Sequence, residues 1–129
     1  MNKIKGFTLI EVMIAVVVVS ILVAIAYPSY QQYLIRGNRA EAQSFLMDLA
    51  QRQQQFLIDS RSYADTLGAL NAPIPENVNR HYTIADPTVQ TTPPAFTITA
   101  TPRANTMQSG DGALSINQAG ERLWNGNPW

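Results

Sequence analysis

The stretch Met1-Asn2-Lys3-Ile4-Lys5-Gly6-Phe7-Thr8-Leu9-Ile10-Glu11 opens a run that stays apolar almost without interruption to Tyr27, and Glu11 lies inside it. An acidic side chain in a membrane segment is costly, on the order of 2.5–3.5 kcal/mol for an Asp-type charge at a helix centre. Glu11 therefore needs a partner. A chain cut after Gly6 would supply one, because Phe7 would then expose an α-amine at nearly the same depth. In a helical assembly, the amine of one copy would meet the carboxylate of the next.

The apolar run is long enough to matter. Phe7 to Tyr30 is 24 positions, roughly 36 Å as a helix against a hydrocarbon core of about 30 Å. Lys3 and Lys5 precede the run, and the next basic residue is Arg36. That asymmetry predicts a cytoplasmic N-terminus with the bulk of the chain outside. Tyr27, Tyr30 and Tyr33 follow as an aromatic belt on one helical face. Pro28 predicts a kink, since an internal proline removes one backbone bond and crowds the preceding turn.

Working outward, helical spacing resumes beyond Pro28. Ala42, Phe45, Leu46, Leu49, Phe56 and Leu57 recur at steps of three and four, with charged residues between them. One long, bent helix from Phe7 to Ile58 is expected, with Gly37-Asn38 as a weak point. Residues 59–79 carry Gly68, Pro73, Pro75 and several asparagines, and predict a loop with one short helical turn. The remainder reads as an antiparallel sheet of about four strands. His81–Ala85 and Phe96–Ala100 alternate and are rich in β-branched and aromatic residues. Thr88–Pro94 contains Pro93-Pro94 and is not expected to be regular strand. Asp111-Gly112 turns into Ala113–Ile116, and Asn117–Gly120 leads into Glu121–Trp124 as a hairpin. The fold class is α+β. Its segments are a leader at 1–6, a spanning helix at 7–30, an amphipathic helix at 31–58, a connection at 59–79 and a sheet with its C-terminal loop at 80–129.

Composition excludes several functions. There is no cysteine, hence no disulfide, thiol nucleophile or thiolate metal site. The one histidine, His81, reads as a strand surface residue. No glycine-rich phosphate loop and no Ser/His/Asp grouping stands out, so an enzyme, a cofactor and a metal site are not expected. Asp111, isolated between Gly110 and Gly112, is a poor oxygen cluster for calcium. Basic and acidic residues number nine each. Loss of Lys3 and Lys5 with a leader would leave a slight acidic excess. Bulk charge gives no sign of a nucleic-acid partner, although Arg80, Arg103 and Arg122 lie on separate predicted strands and could meet in space. A solvated sheet face is the plainer reading of those three.

Gly6-Phe7-Thr8-Leu9-Ile10-Glu11 after Lys-Ile-Lys resembles the processing site of class III signal peptides, the mark of type IV pilins and type II secretion pseudopilins. The resemblance implies cleavage between Gly6 and Phe7 by prepilin peptidase, methylation of the Phe7 amine, and Glu11 as the assembly glutamate. It further implies an inner-membrane subunit with a periplasmic domain, assembled by the pilus machinery with other pilin subunits into an extracellular filament. Pilins with a proline where this chain has Pro28 bend and locally unwind in filaments. Many carry glycine where this chain has Ser20. Tyr82-Thr-Ile84, Phe96-Thr-Ile-Thr-Ala-Thr-Pro102, Leu114-Ser-Ile-Asn117 and Gly120-Glu-Arg-Leu-Trp124 are similar to PilE-like minor pilins, which usually add a C-terminal disulfide. The expected function is a minor structural pilin that contributes to pilus initiation. A secretion pseudopilin and a pilin that binds duplex DNA for uptake are the alternatives. The filament's task stays open between adhesion, twitching motility and DNA uptake.

Overall fold

The computed structural model describes residues 5–129; Met1–Ile4 of the expected leader, with Lys3, lie outside the described residues. The chain divides into two compact units, the first running to Leu34 and the second spanning Ile35–Trp129. Helix α1, Leu9–Ser60, belongs to both.

In the first unit α1 begins with a capping box. Thr8 Oγ accepts the Glu11 amide at 3.3 Å, and Glu11 Oε2 accepts the Thr8 amide at 3.4 Å, satisfying two of the orphan donors of a helix start. The helix continues through Ser20 and Pro28. The Ser20 hydroxyl donates to the Val16 carbonyl at 2.7 Å, which keeps it paired within an apolar run. The large apolar residues of this unit are exposed, Phe7 at 84% and Leu9 at 80%. A continuous apolar surface of that extent requires lipid or other helices around it, and the helix is long and apolar enough to cross a membrane.

In the second unit the α1 stripe meets a sheet. Ala42, Phe45, Leu46 and Leu49 are buried, while Phe56 and Leu57 are half-buried beside the same core. Gly37-Asn38 does not interrupt the helix. Asn38 instead pairs with the Asn77 side chain at 3.2 Å and with Met107 Sδ at 3.5 Å, so tertiary contacts hold the expected weak point. The connection contains a 3-10 turn at Gly68–Leu70 and a helix α2 at Glu76–His81. His81 thus ends a helix rather than starting a strand. The Arg61 amide donates to the Leu57 carbonyl with φ at 59°, so Arg61 closes α1 in the left-handed conformation.

Among the described residues the antiparallel sheet has six strands where about four are expected: β1 Tyr82–Ile84, β2 Thr88–Thr91, β3 Pro94–Pro102, β4 Leu114–Asn117, β5 Arg122–Trp124 and β6 Asn127–Pro128. Their order is β1-β3-β4-β5-β6, with β2 also on β3. The stretch 88–94, read as irregular, forms a hairpin with β3. Thr91 pairs Pro94 around Thr92-Pro93, whose peptide bond is cis. Both prolines therefore sit in the turn or at the first strand position, where no ladder donor is required. The short β6 folds back through Asn125-Gly126, both at positive φ.

One sheet face completes the core with Tyr82, Ile84, Phe96, Ile98, Ala100, Leu114 and Ile116. Each large apolar side chain so enclosed contributes about 1.5–3 kcal/mol relative to exposure. The other face is polar. Thr83 pairs Thr101, Thr97 pairs Asn117, and Thr99 pairs Ser115. Gly112 has φ at 94°, and a Cβ there would lie 2.9 Å from Cβ of Asn125. Only glycine lets the β3–β4 loop pass that close to the β5–β6 turn.

Candidate functional site

Three groups of residues bear on function. The first is the N-terminal set. Gly6 and Phe7 precede the helix, both exposed, and Glu11 stands in its first turn as the capping-box acid. The pattern Thr-x-x-Glu ahead of an apolar run is a readable signal for this cap, though the depth of the charge draws attention away from it. The carboxylate thus has a local task, holding the Thr8 amide, besides any task between subunits.

The second group is a buried polar brace. The Arg39 guanidinium, on α1, pairs with the Asp111 carboxylate, Nε reaching Oδ2 at 2.8 Å. Tyr82 Oη donates to Asp111 Oδ2 at 3.1 Å. The Gln108 amide lies 2.8 Å from the same oxygen and 3.0 Å from both Tyr82 Oη and the Ile35 carbonyl. Trp124 Nε1 donates to the Asp111 carbonyl at 2.6 Å, and Arg39 lies over the Trp124 ring, 3.7 Å from its centroid. The Asp111 side chain is 4% exposed and that of Arg39 17%. Burial by itself would raise the Asp111 pKa. The hydrogen bonds from Arg39, Gln108 and Tyr82, with the Arg39 charge, more than offset this and hold it below the usual carboxylate value. Burial, then the neighbouring Asp111 charge, pushes the Tyr82 phenol well up. The brace ties α1 to the β3–β4 loop and to β5 in a chain without disulfides.

The third group is the arginines, and the structure brings together two of three. Arg80 lies on α2 and Arg103 just after β3, neither on a strand of its own. Arg103 Nε donates to the Asn79 carbonyl at 2.6 Å, its Nη2 to Asn79 Oδ1 at 2.9 Å, and its amide to the His81 carbonyl at 2.8 Å. Arg80 is therefore flanked on both sides by residues that Arg103 holds. Arg80 also forms an exposed ion pair with Glu76 at 2.9 Å, while Arg103 has no acidic partner among the described residues. The loop that begins at Arg103 is the one anchored by Gln108 and Asp111. Thr106 reinforces it, donating to the Arg103 carbonyl at 2.8 Å.

Arg122 stands apart. By sheet register it lies two strands and five residues from Arg103, roughly 20 Å. It shares the helix-facing side with its partner Ile116, reaching toward Met47 and the Trp129 ring. Sequence shows three arginines near strands but not which ends of the strands coincide. Among the described residues no group of three His, Cys, Asp or Glu side chains is placed to hold a metal ion.

Two family models match the chain. One, described as prokaryotic N-terminal methylation motif, covers residues 1–27. The other, described as type IV minor pilin ComP, DNA uptake sequence receptor, covers residues 28–114, a range that holds Arg80 and Arg103 but not Arg122. The chain is similar to type IV major pilin protein PilA of Myxococcus xanthus, 36% identical over 60% of this chain and 34% of that protein. It is also similar to type IV wide pilus major component PilA4 of Thermus thermophilus, 34% identical over 54% of this chain and 53% of that one. A third relative is type IV major fimbrial protein FimA of Dichelobacter nodosus, 39% identical over 47% and 39%. These matches span between a third and about half of the relatives' lengths.

Proposed function

Because the chain belongs to the type IV pilin family described as type IV minor pilin ComP, DNA uptake sequence receptor, we propose that it is a minor pilin that binds duplex DNA through its Arg80–Arg103 corner. The observation that carries this is the family match over 28–114, with two adjacent arginines inside it and a brace fixing the loop of one of them.

In this reading prepilin peptidase cuts between Gly6 and Phe7 and the Phe7 amine is methylated. The subunit waits in the inner membrane with its N-terminus cytoplasmic and its sheet domain periplasmic. On assembly with other pilins, Glu11 meets the Phe7 amine of a neighbour. At about 4 Å and an effective dielectric near 20, such a pair is worth around 4 kcal/mol before desolvation. Desolvation cancels much of that, so the pair sets stagger while the exposed apolar faces of 7–30 supply the holding energy. Pro28 lets the helix adapt as it leaves the bilayer. On the assembled filament, Arg80 and Arg103 contact phosphates, and the hydroxyls of Thr83 and Thr101 on the neighbouring outer sheet face add donors to the backbone. Such contacts position the duplex; sequence readout requires base edges as well.

The test is a gel shift of residues 28–129 on duplex DNA across a salt series. Binding is expected at low salt and falls as salt rises. Arg103→Ala weakens it and lowers the log–log slope by about 1, while Arg122→Ala leaves both unchanged. No shift at low salt, or equal effects of Arg103→Ala and Arg122→Ala, overturns the reading. The relatives named as a major pilin protein and a major fimbrial protein favour a second reading, a shaft subunit without a DNA role, which quantitation of the chain in sheared filaments separates from a minor one.

A further inference from the structure

A cleft of about 510 Å³ opens between the last turn of α1, the 61–65 segment and the β2–β3 hairpin. Its floor is aromatic and apolar. Tyr63 is buried there, set edge-on against Phe96 with ring centroids 4.8 Å apart, and Phe56 and Val89 are half-buried beside it. Its rim is polar and exposed, with Arg61, Asp65 and Gln90 among the lining residues. None of these three side chains makes a hydrogen bond or ion pair among the described residues.

Arg61 is the unusual member. It occupies the helix-closing position with φ at 59°, where glycine stops a helix without a Cβ penalty. A strained residue at the mouth of a cleft is grounds for a functional hypothesis. The geometry points to this cleft as a binding site for an acidic saccharide, a pyranose ring of the uronic-acid class.

The chemistry of the lining fits that class. A guanidinium pairs bidentately with a carboxylate. The Asp65 carboxylate accepts from sugar hydroxyls, and the Gln90 amide both donates and accepts. The aromatic floor covers the apolar face of a ring, and the volume falls within the range of small-molecule sites. The cleft shares no residue with the Arg80–Arg103 corner, so the two readings stand or fall separately.

The test uses the full chain, ¹⁵N-labelled in detergent micelles and titrated with digalacturonic acid, its methyl ester, inorganic phosphate and duplex DNA. Digalacturonic acid is expected to shift amides at Phe56, 61–65 and 89–91, and the ester to bind at least tenfold more weakly. Arg61→Gly suits the backbone better than arginine, so the fold is kept while affinity falls at least tenfold. Absence of shifts at those positions overturns the assignment. So does an equal response to the ester, to phosphate or to DNA, or undiminished binding by the folded Arg61→Gly chain.

Discussion

Asp111 and Gln53 show how single polar residues hold this unit together. Asp111 receives hydrogen bonds from Arg39, Tyr82 and Gln108. Replacing it with alanine leaves the Arg39 charge mostly buried without its counter-ion, which is expected to cost about 3 kcal/mol in denaturant unfolding of residues 28–129. The pH dependence follows from the lowered carboxylate pKa. The unfolded chain takes up a proton near the ordinary value of about 3.9, before the folded one does. This stability is therefore complete above that pH and is lost as pH falls toward the folded value. Asp111→Asn should flatten the acid limb of the stability curve. Gln53 is fully buried, and its amide makes two 2.8 Å bonds, to the carbonyl and the amide of Ala64. Gln53→Leu leaves both Ala64 groups unsatisfied, and the predicted loss is about 1–3 kcal/mol by the same measurement.

At the scale of elements, α1 carries two chemistries along one continuous helix. To Leu34 it offers apolar residues to its surroundings; from Ile35 on it offers a stripe to the sheet. Both halves were legible in the sequence, because helical spacing and an unbroken apolar run are strong local signals. Gln53 was less so. It falls four residues after Leu49, on the stripe, yet within a glutamine run that reads as polar surface. β2 was hidden by its neighbouring prolines, which the turn and the first position of β3 absorb. Glu11→Val tests the assembly role of the first turn. The variant keeps a spanning helix and should still enter the membrane, but should be missing from sheared filaments by immunoblot. A variant recovered in filaments at the original level would separate Glu11 from assembly.

At the scale of the whole molecule, the pilin family was readable from eleven residues, because the basic stretch, Gly6-Phe7 and the acid at the head of the apolar run are adjacent in the chain. The Arg80–Arg103 corner proposed for DNA was not. Net charge is zero, and the placing of Arg103 against the residues on either side of Arg80 is a contact between the end of α2 and the end of β3 that spacing does not encode. In the proposed reading the tasks are separate: the N-terminal helix serves assembly, and the braced sheet domain presents what the filament meets. The proposed display of the second unit on a filament presumes that the first is processed and assembled. Intact-mass analysis of the chain from sheared filaments and from membranes, with and without a functional prepilin peptidase, tests that most directly. The account predicts a filament species lacking residues 1–6 and carrying one added methyl on Phe7, seen only with the peptidase. An uncut chain confined to the membrane in both strains would contradict it.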